Sequence, residues 1–361
     1  MASDTVILFG AGATKACGGP LTNEILAQAF EPTIRCEIER EYYIDLLDRF
    51  LVENFHVPKL PVNRTESDYP ALPLLLSLVD TAIDRNEPMG ASWTVDLLRQ
   101  VRRALQYVVF ALLEYKLRGL SHNYYSDLLA TIDPQRAAPP TVISLNYDII
   151  VDNAFVERYD LLPEYGCDIS TDRYQLQPHK GKLLKIHGSL NWSYCPNCGR
   201  LDLGVSESGR TYKMLEDLYQ VNPLEARYSC HGFPCPVCST FVEPVLITPT
   251  QLKDYRNPHV TKVWGLAEWE LRSAKRAIIV GYSLPDDDLD VIYLLKRGLG
   301  QLAARSPENI TVVEKVTDDA RPLGKHPVGR RYRAIFGPDI DWCTDGFEGL
   351  IATMQGKPAP S

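Results

Sequence analysis

Asn146, Asp148 and His187 are the side chains whose types and spacing could do chemistry on a small molecule. His187 closes the apolar run "KLLKIHGS" and stands eight residues ahead of Cys195-Pro-Asn-Cys198. A neutral imidazole takes a proton from water or a hydroxyl near neutrality, because its ordinary pKa is about 6.5. Asn146 and Asp148 flank Tyr147 at the end of "TVISLNYD". An amide orients a water or a carboxamide without adding a competing charge, and a carboxylate accepts from an amide N–H or balances a developing cation. Each type also has a structural use. A histidine after an apolar strand is often simply packed, Asn and Asp commonly make turns, and Asp148 fits an N-cap for "IIVDNAFVERY".

The pair Cys195 and Cys198 is matched by Cys235 and Cys238, in "CPNC" and "CPVC", with residues 199 to 234 forming a gap of 36. Two such knuckles supply four thiolates to one tetrahedral zinc, and four protein ligands leave no open position for chemistry. Cys230 and His231 compete for a ligand position, and buried or redox thiols are the alternative to metal. The expectation is a structural zinc that braces the chain near His187.

The elements that must hold these groups follow from periodicity. "TVILFGAGATKACGGP" is an apolar run that ends in Gly10-Ala11-Gly12 and turns into a helix, the first βα unit of a dinucleotide-binding fold. The third glycine of that fingerprint is missing, and a tight turn alone would also explain the pair. Helical spacing dominates "IEREYYIDLLDRFLVENF", "LPLLLSLVDTAIDR" and "TVDLLRQVRRALQYVVFALLEYKLRGL". Strand-like runs return at 141–148, 182–188, 244–249, 276–285, 309–314 and "RAIF" (333–336), with helical patterns between several of them. Alternation of this kind predicts an α/β fold with a Rossmann-like parallel sheet. The sheet domain covers 1–30 and 140–345 and contains a small zinc-binding module at 190–243, and a helical insertion covers 31–139. Residues 346–361 read as a C-terminal tail, with "MQGKPAPS" disordered. The acids of "SLPDDDLD" read as the N-cap and first turn of a helix beginning near Leu289.

Composition narrows the class. A chain of 361 residues with 45% hydrophobic and 23% charged residues can bury a large core. Its net charge of −8 argues against broad nucleic-acid binding, which needs a basic face. No run approaches the ~18 apolar residues of a membrane span, so no membrane association is expected. The N-terminus lacks a basic n-region, so a cytoplasmic address is expected.

"GAGATKACGGP" (10–20), "LNYD" (145–148), "IHGS" (186–189), the two knuckles and "VGYSLPDDD" (280–288) occur in that order. Together they resemble the sirtuin family over residues 1–25 and 140 to about 345, which implies NAD as substrate and a structural Zn2+. By that resemblance Gly10, Ala11, Gly12 and Thr14 fall on the loop that cradles the NAD phosphates, with Thr14 in place of the usual serine, and Pro20 closes the same block. Asn146 and Asp148 fall where the family holds the nicotinamide amide and the attacked ribose, and His187 falls on the catalytic base. Gly281 and Ser283 fall on the loop that meets the adenosine side, and Glu314 is placed to reach an adenosine ribose hydroxyl. Two departures stand out. Leu21-Thr22-Asn23 replaces Asp-Phe-Arg after Pro20, and "VLITPT" replaces the Phe-Gly-Glu element of the acyl-lysine cleft. The chain also resembles the sirtuin-like NAD-hydrolysing effectors of bacterial anti-phage defence. That likeness implies an NAD hydrolase releasing nicotinamide and ADP-ribose, working as a homo-oligomer, in some cases with a HerA-type ATPase partner. A protein-lysine deacylase and a non-catalytic NAD or ADP-ribose sensor are the competing readings.

Overall fold

The computed structural model describes residues 3–37, 41–60, 64–118, 120, 122–204, 234–247, 256–317 and 321–358. The strands are β1 (Thr5–Phe9), β2 (Thr141–Ser144), β3 (Lys182–Lys185), β4 (Gly188–Tyr194), β5 (Leu201–Leu203), β6 (Glu243–Leu246), β7 (Arg276–Val280), β8 (Ile310–Val313) and β9 (Asp341–Cys343). Six of them make one sheet in the order β3-β2-β1-β7-β8-β9, every pair parallel. Strands buried on both faces need continuous apolar runs rather than alternation, and Val6, Ile7, Leu8 and Phe9 are each no more than 1% exposed. From β1 the chain builds outward through β2 and β3, then returns to β7 and builds the other way. The order therefore reverses between β1 and β7, and the carboxyl ends there border the crevice in which doubly wound folds bind nucleotides.

The helices are α1 (Ala11–Ala16), α2 (Ile25–Ala29), α3 (Pro32–Glu37), α4 (Glu41–Phe55), α5 (Leu72–Arg85), α6 (Val95–Leu117), α7 (Tyr124–Ile132), α8 (Ile150–Tyr159), α9 (Asp172–Gln175), α10 (Pro258–Ser273), α11 (Leu289–Arg305), α12 (Pro327–Phe336) and α13 (Gly346–Met354). Two apolar cores organise them. The first surrounds the parallel sheet and takes in Tyr125, Leu128 and Leu129 of α7. The second runs from Ile25 to Leu113 and also holds Leu190, Cys195, Cys235 and Val242. The segment expected as one helical insertion thus divides between two cores, and the cysteine module shares a core with α4, α5 and α6.

Other sequence expectations are corrected at the level of elements. "RAIF" is the end of α12, not a strand, because Val328, Tyr332 and Phe336 bury one face at four-residue spacing. The strand of that region is the three-residue β9, too short to show a period. Of the strand-like run at 244–249, residues 244–246 belong to β6 in a separate antiparallel sheet, β5-β4-β6, rather than the parallel one, and 248 and 249 lie outside the described residues. The tail begins as α13, which buries Phe347, Leu350 and Ile351 against the sheet core. Its amphipathic pattern was hidden by two glycines in nine residues.

Candidate functional site

The sequence-derived residues collect at one edge of the sheet. Gly10, Leu145, Ile186, Gly281 and Glu314 each follow directly or nearly so on the last residue of β1, β2, β3, β7 and β8. Parallel register carries this arrangement: Phe9 stands opposite Ser144 and Val280, and Ser144 opposite Lys185. Asn146 and His187 are therefore two residues past the ends of neighbouring strands.

Hydrogen bonds fix the protons at this edge. Nδ2 of Asn146 lies 2.9 Å from the Gly10 carbonyl and 2.9 Å from Thr14 Oγ1. A carbonyl only accepts, so the amide nitrogen must face Gly10, and both its hydrogens are committed. Oδ1 is then the acceptor that the Asn146 side chain keeps. Thr14 Oγ1 donates to Asp148 Oδ2 at 2.6 Å, and the Tyr125 hydroxyl lies 3.2 Å from the same Oγ1. Burial, and next the charge of Asp148, push the Tyr125 phenol well above its ordinary pKa, which keeps it a donor. The order is thus Tyr125 to Thr14 to Asp148, with Thr14 3% and Asp148 2% exposed.

Asp148, which the resemblance sets beside the nicotinamide amide and the attacked ribose, is buried, and both its oxygens have partners within the protein. One oxygen takes the Thr14 hydroxyl and the other takes the Ile150 N–H at 3.1 Å, at the start of α8. Its carboxylate braces the loop and the helix start. His187 is 7% exposed, and its Nδ1 lies 3.2 Å from the Leu145 carbonyl. Nδ1 therefore carries the hydrogen and Nε2 is the basic nitrogen. The backbone around it is clamped: Trp264 Nε1 donates to the Ile186 carbonyl at 2.7 Å, and Ile247 N–H donates to that of His187 at 2.9 Å. Gly188 turns the chain with φ +81°, and a Cβ there would stand 2.0 Å from the Val245 carbonyl oxygen. Only glycine fits.

The glycine loop has a packing role. Gly10 N–H donates to the Val280 carbonyl at 3.0 Å, Gly12 N–H to that of Gly281 at 2.7 Å, and Ala13 N–H to that of Gly10 at 3.0 Å. Gly281 has φ +62°, and a Cβ on it would meet Ala13 N at 2.3 Å. The first two of these bonds tie the glycine loop to the end of β7, and the third closes the loop on itself. Ala11 is half-buried and Pro20 buried beyond α1. Ser283 is exposed, and its carbonyl accepts from Arg331 Nε at 2.9 Å and Nη2 at 2.7 Å. Glu314 is half-buried, and desolvation raises its carboxyl above the usual range. Of the acids in "SLPDDDLD", Asp288 stands at the N-cap of α11, but its carboxylate accepts from the Tyr282 hydroxyl at 2.6 Å instead of capping.

The four cysteines meet as expected. Cys195, Cys198, Cys235 and Cys238 place their sulfurs within 4.8 Å of one another, with 3.4 Å between Cys195 and Cys238 and 3.6 Å between Cys198 and Cys235. Tetrahedral ligands at a Zn–S length of about 2.3 Å stand about 3.8 Å apart, so the donor set fits zinc. The knuckles are copies in backbone terms. Gly199 and Ser239 N–H donate to the Cys195 and Cys235 carbonyls, and the residue after each second cysteine has positive φ, +75° at Gly199 and +61° at Ser239. Hydrogen bonds from Thr240 and Asn197 hold the Cys238 thiol down at about 5, favouring the thiolate that binds metal. Cys230 and His231 lie outside the described residues.

Sequence reasoning missed Tyr125, Lys185, Asp152 and Arg331. Lys185 and Asp152 pair at 2.9 Å with both side chains 0% exposed. Their signal was a charge inside an apolar run, in "LLKIH" and "IIVDNAF". Tyr125 carried no local signal.

Fold and edge together define a doubly wound α/β protein with a tetrathiolate module. The sequence model of the family described as SIR2-like domain matches residues 140–324, just over half of the chain. The chain belongs to that family. Among solved structures it is similar to Sir2Tm bound to a propionylated peptide, at 16% identity over 98% of this chain and 93% of that one, with a TM-score of 0.43. A Sir2 complex with a p53 peptide and NAD+ is similar at 14% identity over 98% and 92%, with a TM-score of 0.41. No curated protein matched the chain. Among the described residues no helix is long and apolar enough to cross a membrane.

Proposed function

We propose that this chain hydrolyses NAD at the nicotinamide–ribose bond, releasing nicotinamide and ADP-ribose. The carrying observation is the proton order at the sheet edge, which leaves Asn146 Oδ1 as an acceptor and His187 with a basic Nε2. The pyridinium leaves as neutral nicotinamide when the C1′–N bond breaks and its electron pair passes to the ring nitrogen. Asn146 Oδ1 holds a water by one O–H, so that a lone pair of the water faces C1′. His187 Nε2 takes the other proton as the O–C1′ bond forms. Asp148 acts beneath, holding Thr14 and through it Asn146, and Glu314 accepts from the adenosine ribose. The tetrathiolate module binds Zn2+ and supports the fold. The defence role, self-assembly and an ATPase partner rest on the sequence resemblance.

Purified protein with NAD alone, followed by nicotinamide release, tests this. Turnover is expected without any peptide, and His187→Ala and Asn146→Ala each lower it by about 100-fold or more with little change in melting temperature. Release that requires an acyl-lysine peptide would instead establish a deacylase, and NAD binding without turnover a sensor.

A further inference from the structure

Lys185 has no part in the chemistry above, yet it sits at the centre of the structure that holds it. The residue ends β3, two positions before His187, and is 0% exposed. Its ammonium donates to the Asp148 carbonyl at 2.5 Å and to Asp152 Oδ2 at 2.9 Å. Asp152 Oδ1 accepts from the Tyr165 hydroxyl at 2.7 Å. Burial, and next the Asp152 charge, raise the Tyr165 phenol well above its ordinary pKa, so it remains a donor. One lysine thus ties three pieces together: the strand that delivers His187, the turn that carries Asn146 and Asp148, and the first turn of α8.

A buried ion pair is a poor way to gain stability, since apolar residues of similar volume usually serve as well. A lysine in the middle of the apolar run "KLLKIHG" therefore calls for another explanation. The Asp148 carbonyl supplies it. It belongs to the turn after β2, whose Leu145 carbonyl also receives His187 Nδ1. The turn is held on one side by the imidazole and on the other by the ammonium, both from the same strand end.

We propose that Lys185 is a positioning residue, which sets the 145–148 turn against His187 so that Asn146 Oδ1 and Nε2 address the same point. The proposal rests on the NAD-hydrolase reading for its kinetic test, but not for its spectroscopic one. Lys185→Met leaves the Asp152 charge buried without its counter-ion and puts folding at risk, so the decisive variant is Lys185→Met/Asp152→Asn, which removes both charges of the pair and still gives Tyr165 an acceptor. Asp152→Asn alone removes the counter-charge of the Lys185 ammonium but keeps its bond to the Asp148 carbonyl and an amide oxygen as a second acceptor.

If the lysine positions the turn, the double variant melts within about 5 °C of the parent while kcat falls about 10- to 100-fold and KM changes less than about threefold. Asp152→Asn alone keeps kcat within about threefold. The His187 ring 15N resonances, read at one pH, shift in the double variant and stay in place in Asp152→Asn. A folded double variant with parental kcat and parental ring resonances overturns the proposal. Should the parent not turn over NAD, the hydrolase reading fails and the ring resonances alone decide the role of Lys185.

Discussion

Thr14 is the residue on which Asn146, Asp148 and Tyr125 converge. Its single hydroxyl donates to Asp148 and lies within hydrogen-bond reach of Asn146 and Tyr125, all within 3.2 Å. Removing it leaves several buried polar groups short of a partner, and each costs about 1–3 kcal/mol. Thr14→Val is therefore expected to lose about 3 kcal/mol in urea unfolding and most of the NAD turnover, because Asn146 is released to rotate. Thr14→Ser keeps the hydroxyl and should keep turnover within about threefold. Equal turnover in the two variants would remove Thr14 from the network. At this scale the sequence was informative about residue type and less so about direction. Asn146 and His187 stood out because their spacing follows strand ends. That Asp148 faces inward depends on Thr14, more than a hundred residues away, and no local pattern carries that.

Strand ends decide which part of a dinucleotide each group can meet. Glu314 follows β8 at the far side of the switch point from His187, and burial lifts its carboxyl above the ordinary glutamate range. His326 and Arg331, from outside β8, act in the opposite sense. A carboxyl whose folded pKa is raised favours the fold below its unfolded pKa, and that advantage is lost as pH rises through the folded value. Glu314→Gln should accordingly melt higher than the parent at pH 7.5 and no higher at pH 4. Binding carries the opposite sign. A ribose hydroxyl donates to the ionised form, so NAD affinity of the parent falls as pH drops from 7.5 into the acidic range. Calorimetry on Glu314→Gln should show weaker binding at pH 7.5 and a flatter pH dependence, with His326→Gln as the control for imidazole protonation. Parallel pH profiles for parent and Glu314→Gln would take Glu314 out of the ribose site. The parallel sheet itself was legible from continuous apolar runs, whereas β9 was too short to register and "RAIF" mimicked a strand. Periodicity needs several residues to speak: β9 has three, and "RAIF" misleads when read apart from the ten-residue helix Pro327–Phe336 that it ends.

The two apolar cores join the chemistry to the rest of the molecule. Tyr125 reaches Thr14 from α7, which packs in the sheet core, while Cys195 and Cys235 are 0% and 2% exposed in the core built by α4, α5 and α6. Knuckle spacing made the four ligands readable in sequence. Their shared core with the helices was not, since it arises from contacts between residues near 190–242 and residues near 25–113. This sharing has a measurable consequence. If zinc only closed a surface loop, chelation would leave the helical core intact. Because Cys195 and Cys235 are themselves part of that core, loss of the metal should loosen the helices as well. Trp93 reports on them: it is 3% exposed and packs edge-on against Phe50, ring centroids 4.8 Å apart. Metal analysis is expected to give one zinc per chain. Stripping it with a strong chelator should lower the melting temperature by about 10 °C or more and shift Trp93 emission, isolated by difference against Trp93→Phe, to the red. Added zinc should restore both. A stripped protein that melts like the parent and keeps its Trp93 emission would show that the tetrathiolate cluster and the helical core are energetically separate.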